Sequence, residues 1–126
     1  MKVVEPEGWP KPKGYASGIV ANGFVFVSGQ VGWNAQGRFA SGLVAQVRQA
    51  LENVVTVLRA AGSGPECIVR LTWYVTEKSA YLAEQRAIGA AYRETIGRHF
   101  PPMSVVEVAA LVEDEALVEI EATATC

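Results

Sequence analysis

The chain has 126 residues, 50% of them hydrophobic and 19% charged, a composition typical of one globular domain and not of a disordered chain. Its 13 acidic and 11 basic residues give a net charge of -2, and this balance lacks the strongly basic surface of a nucleic-acid-binding protein. No apolar stretch approaches the roughly 20 residues that span a membrane, and the polar start has no hydrophobic leader, so we expect a cytoplasmic protein that binds no membrane.

Residues 1–13 are expected to form an irregular arm, because prolines and glycines interrupt them, with a short edge strand at residues 2–5. Regular structure begins with a β-hairpin within residues 19–27. There Asn22-Gly23 connects two apolar runs, and this dipeptide favours a turn with positive φ at both positions. Residues 28–30 are predicted to end the second strand, ahead of a glycine-rich loop.

Apolar residues recur at helical spacing over residues 41–61 and predict a first helix there. Its more polar positions are expected on the wetter faces of the helix: Gln46, Arg48, Gln49 and Glu52. Gly62 follows and ends the helix. A run of β-branched and aromatic residues at 68–76 then predicts a strand.

A second helix is predicted over residues 80–96, with Ser79 as its N-cap. Two more strands are predicted over residues 103–112 and 117–125. A turn at residues 113–115 connects them, and the alternation in the last strand fits an antiparallel hairpin.

The order of these elements predicts an α+β fold in which two helices cover one face of a mixed sheet, within a single domain spanning residues 1–126. The uncovered face of this sheet is not purely polar. Phe24 and Phe26 point to one side of their strand, whereas Val25 and Val27 point to the other. A sheet that is apolar on both faces, with helices for only one, predicts homo-oligomerisation.

A few residues have patterns that indicate chemistry. Glu119 and Glu121 share one face of the last predicted strand, and paired carboxylates can polarise water or bind a cation. The pattern alone slightly favours a simpler position on the solvent side of a hairpin. Ser28 either presents its hydroxyl to a substrate at a strand end or satisfies its own turn. Trp33, in a polar loop, either walls a pocket or packs at a subunit contact.

The histidine and the cysteines predict neither a metal site nor a nucleophile. His99 is the single histidine, and a solvent-facing loop position is favoured over a general base. Cys67 and Cys126 form no C-x-x-C motif, and we expect Cys67 to be structural and Cys126 to be mobile. The sequence therefore predicts no metal and no cofactor.

Six stretches, in order, resemble the RidA (YjgF) family of enamine/imine deaminases. They cover nearly the whole chain, from about residue 14 to residue 125. Each stretch is weak evidence alone, and the six together identify the family: Lys13–Tyr15, Phe26–Val31, Ala45–Val54, Ile68–Thr76, His99–Pro102 and Ala116–Ala122.

The resemblance implies a chorismate-mutase-like domain that forms a homotrimer, with the three sheets in a central barrel and the active-site clefts between subunits. It implies hydrolysis of a small reactive enamine or imine to a carbonyl product and ammonia, without a cofactor. By this resemblance Glu119 matches the water-activating glutamate and Tyr15 matches the pocket tyrosine. Ser28 and Gly29 match the segment that lines the pocket.

One position departs from the family pattern. Met103, followed by Ser104, stands where the family's archetype has an arginine that binds the substrate carboxylate. A thioether cannot form the charge-assisted pair of a guanidinium. We therefore expect 2-aminoacrylate to be a poor substrate, and Met103 and Trp33 favour a more apolar one.

Two questions stay open in the sequence. Arg86 aligns with a pocket asparagine of the family, so it either supplies a displaced cation or is an ordinary solvent-facing arginine, which is the favoured interpretation. The substrate-binding set comprises Ser28, Gly29, Trp33, Arg86, Met103 and Ser104. The function is either hydrolytic deamination or, alternatively, non-catalytic binding of a small metabolite by the same fold.

Overall fold

A mixed sheet and three helices form the regular structure of residues 1–125, the part of the chain that the computed structural model describes; Cys126 lies outside the described residues. The strands are β1 (Lys2–Val4), β2 (Gly18–Ala21), β3 (Phe24–Val31), β4 (Ile68–Val75), β5 (Met103–Glu107) and β6 (Val118–Thr125). The helices are α1 (Leu43–Ala60), α2 (Lys78–Ala83) and α3 (Gln85–Thr95), and a short 3-10 helix covers Pro65–Cys67. The strand order is β1-β2-β3-β6-β4-β5, and β4 and β5 run parallel.

The predicted hairpin and the first helix are confirmed. In the turn between β2 and β3, Asn22 has φ 51° and Gly23 has φ 79°, the positive values that this dipeptide favours. Helix α1 begins two residues later and ends one residue earlier than the pattern predicted. Its stripe of buried apolar residues packs on the sheet as expected: Val47, Ala50, Leu51, Val54 and Leu58.

The prediction of one long second helix is wrong, because the helical segment is broken at Glu84 (φ -109°, ψ 20°) into α2 and α3. Glu77, not Ser79, is the N-cap of α2, and the Ser79 hydroxyl contacts the Glu77 carboxylate at 3.4 Å instead of a backbone amide. Helix α2 buries no residue, whereas α3 buries Ile88 and Tyr92. Helix α3 is therefore held by buried core residues, whereas α2 contacts the core through the partly buried Tyr81.

The predicted hairpin between the last two strands is also wrong. Strand β5 pairs in parallel with β4 at the edge of the sheet, while β6 inserts between β3 and β4. A crossover through α2 and α3 delivers β5 parallel to its neighbour, as such connections require. Glu119 and Glu121 therefore lie on a central strand and not on a solvent-exposed hairpin.

Helices cover one face of the sheet and leave the other face open. Helices α1 and α3 pack against the face that carries Val25, Leu71, Trp73 and Ile120, which are buried in the core. On the other face Phe26 is 47% exposed. The α+β class with two main helices on one face of a mixed sheet is confirmed. Within residues 1–125, no helix has both the length and the apolar character of a membrane span.

Candidate functional site

A β-bulge in β3 shapes the site. Val27 pairs with Ala122 and Gln30 pairs with Ile120, so Ser28 and Gly29 together oppose the one residue between them on β6. Such a bulge locally disrupts the ladder and re-aims side chains. Here it exposes a stretch of β3 beside the carboxylates of β6.

The Glu119 carboxylate lies against Gly29. A β-carbon added at Gly29 would be 2.7 Å from both Cδ and Oε2 of Glu119, closer than carbon atoms approach in proteins. Glycine at this position therefore makes room for the carboxylate. This contact joins two of the residues that the family resemblance selected.

The two neighbouring carboxylates have different surroundings. Glu121 accepts a hydrogen bond from the Tyr74 hydroxyl at 2.9 Å, and this bond is the largest cause of the raised pKa of Tyr74. Glu119 is half-buried and forms no hydrogen bond or salt bridge with any other residue between positions 1 and 125. Burial, and then the negative charge of Glu121, raise the pKa of Glu119. A carboxyl group in this state can accept a proton from water and return it.

A cavity of about 530 Å³ opens above this bulge. The N-terminal arm forms one wall, and the loop after β3 forms another. Five of the predicted site residues line it: Tyr15, Ser28, Gly29, Trp33 and Glu119. Its size falls within the range of small-molecule sites.

The individual side chains are held to different degrees. Tyr15 is 61% exposed at the rim. The Ser28 hydroxyl donates a hydrogen bond to the Ser17 carbonyl (3.1 Å) and accepts one from the Gln30 amide (3.3 Å). The Ser28 hydroxyl thus forms hydrogen bonds with neighbouring loop and strand residues, and Ser28 lines the cavity as well. Trp33 is half-buried and packs on Phe39 with ring centroids 5.4 Å apart.

Two buried amides of α1 position the loops around the cavity. Asn53 Nδ2 donates hydrogen bonds to the carbonyls of Val31 (3.1 Å) and Trp33 (2.8 Å). Gln46 Nε2 donates a hydrogen bond to the Glu115 backbone carbonyl at 3.0 Å, and its Oε1 accepts one from the Leu117 backbone amide at 2.8 Å.

Sequence reasoning missed both roles. The expectation that Gln46 faces water is wrong, because these backbone partners bury its amide. The available signal was an amide in an otherwise apolar position of the helix, at Gln46 and at Asn53.

Three predicted site residues lie away from Glu119 in the single chain. Met103 pairs with Leu71, on the helix-covered face, whereas Glu119 pairs with Tyr74 on the open face. Ser104 is exposed on β5 beside Met103. Arg86 is exposed and does not line this cavity. By strand geometry, Met103 and Glu119 are two strands and three residues apart, roughly 14 Å.

His99 is not the solvent-facing histidine that the sequence favoured. Its ring is half-buried, and Nε2 lies 2.7 Å from the Ile68 carbonyl, to which it donates in the matching tautomer. Across residues 1–125, no group of three His, Cys, Asp or Glu side chains is arranged to bind a metal ion.

Comparisons with known proteins agree over the whole chain. A family model described as Endoribonuclease L-PSP matches residues 10–126. The 2-iminobutanoate/2-iminopropanoate deaminase of Escherichia coli K12 is 34% identical over 128 residues, covering 98% of this chain and 96% of that protein. The structure of the E. coli YjgF gene product has a TM-score of 0.86 at 33% identity, covering 99% and 98% of the two chains. The structure of E. coli TdcF with bound serine has a TM-score of 0.86 at 31% identity, covering 100% and 99%.

Proposed function

This chain belongs to the RidA (YjgF) family, and on that premise we propose that it hydrolyses a small enamine or imine to a carbonyl compound and ammonia. The observation that carries the proposal is the unpaired, half-buried Glu119 carboxylate, which lies against Gly29 in a cavity of about 530 Å³. The E. coli relative that deaminates 2-iminobutanoate supports the reaction class.

The reaction needs only water and the positioned carboxylate. Glu119 accepts a proton from a water molecule while the water oxygen attacks the carbon of the protonated C=N bond, which gives a neutral carbinolamine. Glu119 returns that proton to the nitrogen and then accepts the hydroxyl proton as the C=O bond forms and the C–N bond breaks. Ammonia leaves and takes up this last proton, which restores the carboxylate. A raised pKa suits this exchange, because a base whose pKa approaches the working pH both accepts and returns a proton readily.

The other cavity residues are proposed to hold the substrate. The Ser28–Gly29 segment of the bulge would contact it beside Glu119, with Tyr15 at the rim and Trp33 as an aromatic wall. The serine bound to TdcF, a protein of the same fold, supports a small-molecule ligand of this kind.

We further propose a homotrimer with its sites between subunits. The open face of the sheet, with Phe24 and Phe26 partly exposed, supports an assembly that buries this face. Met103, Ser104 and Arg86 lie far from Glu119 within one chain, and a neighbouring subunit is the way for them to reach it. Such a site is complete only in the assembly.

The second candidate function is non-catalytic binding of a metabolite. It is favoured by Met103, which replaces the arginine that binds the substrate carboxylate in the family's archetype. A substrate carboxylate next to this thioether would lose water and gain no cation, and an unpaired buried charge is unfavourable.

The endoribonuclease description of the family model is a less fitting candidate, because the net charge is -2 and a polyanion would meet Glu113 and Glu119 in the cavity.

Ammonia release from imines generated in situ tests the proposal. The protein should accelerate hydrolysis of an apolar imine and act poorly on 2-aminoacrylate, while Met103→Arg should raise the rate on 2-aminoacrylate. No acceleration of any imine in the panel, with the fold intact, would leave the binding protein as the better description. Fast turnover of 2-aminoacrylate by the unmodified protein would contradict the argument from Met103.

A further inference from the structure

The N-terminal arm brings a cation to the cavity that holds Glu119. Within the described residues, Lys11 is the only lysine or arginine that lines this cavity. Its ammonium group forms no salt bridge with any carboxylate of residues 1–125, so neither Glu113 nor Glu119 neutralises it. A positive charge is therefore available to a bound molecule.

The arm is tied down at both of its ends, which limits where Lys11 can go. Strand β1 pairs with β2, and this pairing closes residues 5–17 into a loop, part of which walls the cavity. The Glu5 carboxylate accepts a hydrogen bond from the Ser17 backbone amide at 3.3 Å. The wall that carries the cation is thus connected to the edge of the sheet.

Prolines on both sides of Lys11 restrict its backbone further. Pro10 and Pro12 have a fixed φ, and a residue that precedes proline favours extended backbone. All three residues line the cavity. A segment restricted in this way loses little conformational entropy when it contacts a ligand, which favours binding.

The cavity is larger than a small imino acid requires. A cavity of about 150 Å³ admits benzene, which is about as large as 2-aminoacrylate, whereas this one measures about 530 Å³. Two indole side chains, Trp9 and Trp33, line it together with Lys11 and Glu119. Trp9 packs against the core, and Trp33 packs on Phe39. These walls favour a flat, unsaturated substrate.

Lys11 and Glu119 contact different parts of such a substrate, because no salt bridge joins them within the described chain. An anionic group paired with Lys11 is therefore separated from the C=N carbon that water attacks beside Glu119. In 2-aminoacrylate the carboxylate is bonded directly to that carbon, so it would lie beside Glu119 and away from Lys11. Because Glu113 and Glu119 are acidic, a carboxylate suits the cavity better than a phosphate dianion.

We propose that the substrate of this site carries its carboxylate at a distance from the C=N bond, across an aromatic ring. The carboxylate pairs with Lys11, the ring lies along Trp9 and Trp33, and the C=N carbon faces Glu119. This inference rests on the proposed imine hydrolysis and names its substrate class. It also accounts for Met103, since a substrate held by Lys11 does not need an arginine at position 103.

Calorimetric titration with stable ketones that resemble the reaction product tests the proposal without turnover. 4-Acetylbenzoate has its carboxylate across the ring from the carbonyl, acetophenone lacks the carboxylate, and pyruvate has it next to the carbonyl. We expect 4-acetylbenzoate to bind most tightly of the three. Lys11→Gln should weaken its binding about threefold to tenfold, as expected for loss of an exposed to partly desolvated ion pair, and should leave acetophenone binding unchanged.

Two further variants separate the charge from the ring. Lys13→Gln is the matched control, since Lys13 is an exposed lysine of the same arm that does not line the cavity. It should leave 4-acetylbenzoate binding unchanged. Trp33→Leu, with a melting curve to show that it folds, should weaken binding of both aromatic ketones and so assign the ligand to this cavity.

Equal binding of 4-acetylbenzoate and acetophenone, or equal losses in Lys11→Gln and Lys13→Gln, would overturn the role of Lys11. Tighter binding of pyruvate than of 4-acetylbenzoate would overturn the substrate class. The proposed hydrolysis fails separately, if 4-acetylbenzoate binds through Lys11 and yet the protein accelerates no imine. Imine hydrolysis that proceeds while Lys11→Gln changes neither binding nor rate would leave the reaction standing and contradict this inference.

Discussion

The Glu119 carboxylate occupies the space that a side chain at position 29 would need: a β-carbon on Gly29 would lie 2.7 Å from its Cδ. Strand β3 and strand β6 can bring these two residues together because the bulge at Ser28–Gly29 interrupts their ladder. The position of the carboxylate therefore depends on the absence of one methyl group.

Gly29→Ala is expected to displace the carboxylate and lower turnover strongly. The atoms in the way belong to the flexible end of Glu119, so the side chain can move aside with little loss of stability. Imine hydrolysis and a melting curve, measured on the same sample, check both parts. A variant that hydrolyses imines at the original rate would show that the contact does not position Glu119.

Glu119→Gln should lower imine turnover by about 10²–10⁴-fold, the usual contribution of a general base. Glu121→Gln is the matched control, because it removes a neighbouring carboxylate that accepts a hydrogen bond from Tyr74 and does not line the cavity. It should retain most of the activity. Equal losses in both variants would argue for a shared structural role.

The pH dependence of turnover follows from the raised pKa of Glu119. A base works only when deprotonated, so activity should rise with pH through a pKa above that of an ordinary glutamate. Glu121→Gln removes a negative charge that favours the protonated form of Glu119. The acidic limb of the pH–rate profile should therefore move to lower pH in this variant. An acidic limb that stays in place in this variant would show that the two carboxylates do not interact.

Asn53→Ala should destabilise the fold and loosen the loop that carries Trp33. The change leaves the Val31 and Trp33 carbonyls without their donor, and losing a buried partner costs about 1–3 kcal/mol. Urea unfolding measures the free energy of unfolding, with exposed Glu52→Ala on the same helix as the control. Similar stability of the two variants would mean that other donors replace the amide.

Light scattering should give about three times the chain mass of 13.5 kDa at micromolar concentration. Phe26→Asp places a charge on the open face of the sheet and should dissociate the assembly, because an unpaired buried charge is costly. Leu82→Asp, at an exposed position of α2, is the control and should leave the mass unchanged. A monomeric unmodified protein would contradict both the trimer and the intersubunit site.

The sequence predicted the elements whose signal is local. Asn22-Gly23 fixed its turn through backbone sterics alone, and the apolar stripe of α1 gave its limits to within two residues. Features that depend on tertiary packing escaped prediction. The break at Glu84 falls inside a continuous helical pattern, and the burial of Gln46 depends on backbone groups of Ala40, Glu115 and Leu117.

The candidate site was predictable only in part for the same reason. Family resemblance selected Glu119, Gly29, Ser28 and Tyr15, and the fold brings them to one cavity. The role of Gly29 follows from a bulge that has no signature in a single sequence.

The central position of β6 has a kinetic consequence. This strand is the last along the described chain, yet it pairs with both β3 and β4, and its pairs with β3 join residues that are far apart in sequence, from Val31 with Glu119 to Phe24 with Thr125. Such non-local pairing slows folding, since the entropy of a long loop is lost before the contacts form. Until β6 inserts, β3 and β4 have unpaired edges and the molecule has no Glu119 beside Gly29. Catalytic competence should therefore appear in the same slow step that completes the sheet.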